Sequence, residues 1–169
     1  KALGLTLIKF DMMLHRLVAA DENVALGEPS PHEYRLARRF AARGEVGTQL
    51  SERGLELMQE IVSACREAAG PDIPLALDHF GPLTVKDGIR MGRALEGYGI
   101  AWLEDIMPVW DVEGNREVTR AIEVPTLNGE QGYLLKGLRE MIDTRAVDIL
   151  QPDLVTVGGM AELKRVADY

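Results

Sequence analysis

The run Ile100-Ala101-Trp102-Leu103-Glu104, short, apolar and closed by an acid, decides how the chain is read, because the same pattern returns on either side of it. Upstream stands Ile73 to Leu77 followed by Asp78. Downstream stand Val124 to Leu127 with Glu130 just beyond, and Val147 to Leu150 with Asp153 just beyond. A further run, Leu5 to Phe10, lies nearer the start. The acids are separated by 26, 26 and 23 residues, each the length of one β/α unit. Between the runs, apolar residues recur at helical spacing. Leu55, Met58, Ile61, Val62 and Cys65 precede a Gly70-Pro71 stop, and Thr84 with Asp87 predicts a capping box at the start of the next helix. Later helices are predicted around Val118, Ala121 and Ile122, from Leu134 to Ile142, and from Met160 to Val166.

Strands that alternate with helices predict an α/β fold with a parallel sheet. In a (β/α) barrel of the TIM type, successive strand ends point the same way, so acids recurring once per unit converge on one face. A doubly wound open sheet is the alternative. It would spread the four acids along an edge, and no glycine-rich phosphate loop follows any of these strands. The barrel therefore fits better. One interval breaks the period, leaving an insertion at about 12–50. It holds Gly27, Pro29 and Pro31 and a basic stretch of Arg35, Arg38, Arg39 and Arg43. Such a segment reads as a solvated helix face, or as a binding loop whose guanidinium meets an anionic substrate.

Composition narrows the function classes. The chain has 169 residues, 46% hydrophobic and 27% charged, with 19 Lys plus Arg against 27 Asp plus Glu for a net charge of −8. That range excludes a disordered chain or a coiled coil. The acidic balance argues against nucleic acid or an anionic membrane face as partner. The single cysteine, Cys65, excludes an internal disulfide and fits a reducing, cytoplasmic setting. No run reaches the length of a membrane helix. Both ends look abrupt, and the chain reads as a piece of something larger.

Three carboxylates at consecutive strand ends, Asp78, Glu104 and Glu130, are the hard oxygen ligands that Mg²⁺ prefers. The competing reading makes them helix caps or solvated loop acids. Zinc fits less well, since neither a Cys cluster nor a His pair at ligand spacing stands nearby.

The surrounding residues go further. Trp102-Leu103-Glu104-Asp105, Leu127-Asn128-Gly129-Glu130, and Leu150-Gln151-Pro152-Asp153 followed by Gly158-Gly159 resemble the enolase superfamily, in particular its mandelate racemase and muconate-lactonizing group. The resemblance runs from about Gly4 to the C-terminus outside the insertion. It implies that the chain covers about the second to sixth barrel strands, with an N-terminal capping domain and the last strands outside it. It further implies that Asp78, Glu104 and Glu130 hold Mg²⁺, and that the shared step removes the proton α to a substrate carboxylate through a stabilised ene-diolate. Asp153 resembles the family acid that orients a histidine base on the next strand. That histidine is not among His15, His32 and His79.

Two departures from the family pattern shape the expected reaction. The second strand of the family often carries Lys-Xaa-Lys, whereas this chain has Lys9-Phe10-Asp11. Lys9 then either pairs with a substrate carboxylate or plays a structural part, and chemistry on one face, as in the acid-sugar dehydratases, is favoured over two-base racemisation. Some of these dehydratases place a catalytic histidine two residues after the first metal ligand. Here Phe80 holds that position and His79 precedes it, a candidate acid for the leaving hydroxyl or a packed histidine. Asp105 is expected to shape its loop, and Trp102, Trp110 and Met107 to serve core or loop. The expected protein is a Mg²⁺-dependent lyase acting on a sugar acid, with alternatives that its reaction products would distinguish. Those alternatives are a racemase, epimerase or cycloisomerase of the same superfamily, and a non-catalytic fragment. A homo-oligomer is expected, because a partial barrel leaves unpaired edges and apolar helix faces.

Overall fold

A computed structural model describes residues 4, 6–12, 25–26, 49–78 and 83–169. Among them, β1 (Ile8–Asp11), β4 (Leu75–Asp78), β5 (Ile100–Glu104), β6 (Thr126–Asn128) and β7 (Ile149–Leu150) form one sheet in that order, every neighbouring pair parallel. Two short strands within the insertion, β2 (Ala25–Leu26) and β3 (Gln49–Leu50), pair antiparallel. The helices α1 (Glu52–Ala69), α2 (Val85–Leu95), α3 (Val112–Ala121) and α4 (Leu134–Thr144) each precede the next sheet strand, and α5 (Met160–Asp168) follows β7. Spatial order follows chain order without the reversal that defines a doubly wound sheet, so the winding is that of a barrel wall. No helix among the described residues is long and apolar enough to cross a membrane.

The strands lie slightly C-terminal of the apolar runs that predict them, and proline explains two of the shifts. Pro74 and Pro125 carry no N–H and stand outside the strands, while their carbonyls accept from Ile8 (3.0 Å) and Leu103 (2.9 Å). At β7 the Asp148 carboxylate takes the Thr126 N–H (2.9 Å), and the ladder begins at Ile149. The Thr84 cap forms in part. Its hydroxyl accepts the Asp87 N–H (3.1 Å), but the Asp87 carboxylate engages that hydroxyl (2.8 Å) and Arg90 (2.6 Å) instead of reaching back to the Thr84 backbone.

Register sorts the side chains onto two faces. Lys9 pairs with Ala76, Asp11 with Asp78, and Ala76 with Trp102 across a bulge. Residues in register on parallel strands share a face, so Lys9, Asp11, Asp78, Trp102 and Glu104 stand together. The opposite face carries Leu75, Leu77 and Leu103, which are fully buried against Met58 and Val62 of α1 and Met91 and Leu95 of α2. Helices α2 and α3 pack closely because Gly92 is a glycine: a Cβ there would lie 2.7 Å from the Ile122 side chain.

Candidate metal centre

The chemistry-bearing residues sit at the C-terminal ends of β1, β4 and β5. The Lys9 ammonium lies 2.7 Å from Asp78 Oδ2, and 3.1 and 3.0 Å from Glu104 Oε1 and Oε2. Both carboxylates are withdrawn from water, with side chains 8% and 1% exposed, whereas that of Lys9 is 37% exposed. Two buried anions set side by side are costly in a low-dielectric interior, and the half-exposed Lys9 ammonium between them offsets part of that cost. Burial by itself lowers the Lys9 pKa. Its hydrogen bonds to Asp78 and Glu104 outweigh that effect and hold the ammonium above its ordinary value of 10.5.

The indole N–H of Trp102 donates to Glu104 Oε2 at 3.1 Å. The sequence alone leaves Trp102 to core or loop duty. Strand alternation was the signal available, since a residue two before Glu104 must share its face.

Glu130 stands half-buried immediately after β6. Gly129 before it adopts φ +134, and a Cβ there would lie 3.1 to 3.2 Å from the Gln151 backbone, so the turn that carries Glu130 requires glycine. Buried Asn128 secures that turn. Its Oδ1 accepts the Gly129 N–H (2.7 Å), and its Nδ2 donates to the Met107 carbonyl (2.7 Å) and to Asn115 Oδ1 (3.2 Å). Asn115 in turn donates to the carbonyls of Pro108 (2.8 Å) and Asp111 (2.9 Å), which fastens the loop after β5 to the end of β6. Neither asparagine was legible from spacing. Asp105 turns that loop with a left-handed φ of 56, a conformation Asp tolerates better than most residues.

The structure gathers Lys9, Asp78 and Glu104. Among the described residues, no three His, Cys, Asp or Glu side chains lie close enough together to hold one metal ion, so Glu130 is not drawn into the pair here. Asp153 is exposed and folds its own loop: Oδ1 accepts the N–H groups of Thr156 (2.7 Å) and Val155 (2.9 Å). Those bonds, Thr156 first, hold its pKa below the usual aspartate value. His79, His15, His32 and the four insertion arginines lie outside the described residues.

A family model described as Enolase C-terminal domain-like matches residues 11–169. The chain belongs to that family. D-xylonate dehydratase of Haloferax volcanii is 33% identical over 166 residues, covering 98% of this chain and 35% of that protein. D-galactarolactone cycloisomerase of Agrobacterium fabrum is 33% identical over 114 residues, covering 68% and 30%. The crystal structure of rhamnonate dehydratase from Gibberella zeae complexed with Mg superposes with a TM-score of 0.66 at 34% identity, covering 70% of this chain and 29% of that one. The chain thus spans about a third of the length of these enolase-family relatives. Family membership makes the observed sheet and its helices part of a β/α barrel. The donor chemistry fits Mg²⁺: Asp78, Glu104 and Glu130 offer only carboxylate oxygens, and the first two are withdrawn from water at adjacent strand ends.

Proposed function

We propose that this chain carries the metal-holding face of a cytoplasmic lyase that dehydrates a sugar acid, with Mg²⁺ held by Asp78, Glu104 and Glu130. The observation that carries the reading is the buried Asp78 and Glu104 pair at consecutive strand ends, joined by Lys9. Its strongest support from relatives is the dehydratase that matches nearly the whole chain. In the complete protein the remaining barrel strands and a capping domain enclose the site.

Dehydration takes the α-proton and the β-hydroxyl from the substrate as water, and the enol left behind becomes a 2-keto acid. Bound Mg²⁺ supplies positive charge beside the substrate carboxylate, where negative charge builds as the α-proton leaves. The Lys9 ammonium pairs with the same carboxylate and orients it. Asp153 holds the imidazole of a histidine base contributed by the strand that follows, fixing its tautomer and raising its basicity. His79 delivers the proton to the departing hydroxyl. Asp11 stands at the register position beside Asp78 in place of the family's second lysine, which favours proton abstraction from one side.

The test is to incubate the complete protein with Mg²⁺ and a panel of aldonic and aldaric acids, D-xylonate first, in heavy water. A 2-keto-3-deoxy product that vanishes with chelator supports dehydration. Exchange of the α-proton or ring opening of a lactone without that product selects the second reading, an isomerase, which the cycloisomerase relative favours. Neither product nor exchange on any acid overturns both.

A further inference from the structure

The loops that carry Glu130 and Asp153 are fastened to each other, and a side chain on α5 completes the fastening. Resting on the metal-site reading above, we propose that Glu162 is a positioning residue for Glu130: it caps the N-terminus of α4 and so holds the loop at 129–133 against the loop at 151–159.

Hydrogen bonds join the two loops at both ends. Next to the strands, the Gln151 N–H donates to the Asn128 carbonyl (3.0 Å). Next to the helices, the Leu134 N–H donates to the Val157 carbonyl (3.1 Å), and the Leu135 N–H donates to Glu162 Oε1 (2.9 Å). The stretch bearing Glu130 is thus gripped before and after. The first two bonds run between backbones, which every residue carries. The third needs an acceptor side chain that reaches across from α5.

Local sequence explains why α4 borrows its cap. The first amides of a helix have no partner within it, and a serine, threonine, aspartate or asparagine at the N-cap usually serves one of them. Tyr133 holds that position in α4 and makes no side-chain cap. Leu134 then enters with a left-handed φ of 58, which is unfavourable for a residue with a Cβ. Its side chain lies over Gly158, where a Cβ would come within 3.0 Å of it. A strained start of this kind persists only where its surroundings hold it. Glu162 is placed to do so. Its side chain is 13% exposed and stands in the first turn of α5, so one carboxylate meets the positive ends of two helices. Arg165, itself 72% exposed, pairs with the other oxygen at 3.1 Å, a contact that water weakens.

The bonded path continues to the second loop. The Val157 N–H donates to the Asp153 carbonyl (2.9 Å), while the Val157 carbonyl receives Leu134. Releasing Glu162 therefore loosens the start of α4 and lets the Glu130 turn shift relative to the Asp153 loop.

The experiment compares the complete wild-type protein with Glu162→Met, which keeps the stem and loses the acceptor, and with Glu162→Gln, which keeps an acceptor oxygen. Amide exchange by peptide mass analysis and isothermal titration with Mg²⁺ alone are read on each. In Glu162→Met, exchange at 132–135 should quicken about tenfold while α1 is unchanged, and Mg²⁺ should bind about tenfold more weakly. Glu162→Gln should recover most of both. Unchanged exchange in Glu162→Met overturns the clamp. Faster exchange with wild-type Mg²⁺ affinity makes Glu162 a structural cap alone and overturns its positioning role. A Glu162→Gln variant as weak as Glu162→Met overturns the hydrogen bond as the cause. Absence of Mg²⁺ binding to the wild type overturns the metal reading, and this proposal with it.

Discussion

The two ends of the same strands handle charge in opposite ways. At the C-terminal ends, two buried carboxylates meet one lysine side chain to side chain, charge against charge. At the other end, the Arg66 guanidinium on α1 donates to four backbone carbonyls: Tyr98 (2.9 Å), Gly70 (3.0 Å), Ile73 (2.6 Å) and Gly99 (2.8 Å). Its charge is spread over neutral dipoles that close α1, lead into β4 and lead into β5. The difference separates function from stability. A cation satisfied by backbone dipoles fastens elements and invites no ligand, whereas adjacent buried carboxylates offer the hard oxygen donors a divalent cation prefers.

Breaking the negative end should have the largest effect. Glu104→Gln removes a proposed ligand, and turnover of the sugar acid in the complete protein should fall by roughly 100-fold or more, beyond what the loss of a supporting hydrogen bond alone costs. Its melting temperature without metal should hold or rise, because a buried charge is gone. A variant that keeps Mg²⁺-dependent turnover would erase the contrast. Breaking the positive end should do the reverse. Arg66→Met should lower folding stability by about 2–3 kcal/mol in urea unfolding, as hydrogen bonds from a charged donor are lost, and should leave kcat/KM of the folded fraction near the wild-type value.

Two smaller effects sharpen the comparison. Trp102→Phe keeps an aromatic ring and removes the donor on Glu104, and should weaken Mg²⁺ affinity about tenfold by calorimetry, with little change in urea unfolding. Asp153 tests the acidic loop. Its folded pKa lies below the ordinary 3.8, so the unfolded chain binds the proton more readily, and the stabilisation it gives is present above that value and fades as pH falls through the lowered one. Amide exchange at Val155 and Thr156 should therefore accelerate on acidification in the wild type and be already fast in Asp153→Ala at neutral pH.

Much of the frame was legible because strands, prolines and helix stops are local. The runs at 73–77, 100–103, 124–127 and 147–150 each mark a strand, displaced only where Pro74, Pro125 or Asp148 alters the first ladder bond. The once-per-unit acids put Asp78 and Glu104 at neighbouring strand ends, as the structure has them. That Lys9 bridges them depends on the register of β1 against β4 across a long insertion, which no spacing reveals. Arg66 left no trace because its partners are carbonyls, which every residue carries. Asn128 and Asn115 were hidden for the same reason, since three of their five bonds from side-chain amides or to the backbone end on main-chain oxygen.

The most direct measurement is a crystal structure of the complete protein soaked with Mn²⁺, read by its anomalous difference map. The account predicts a peak held by Asp78, Glu104 and Glu130. A peak elsewhere, or no peak beside Asp78 and Glu104, would contradict it.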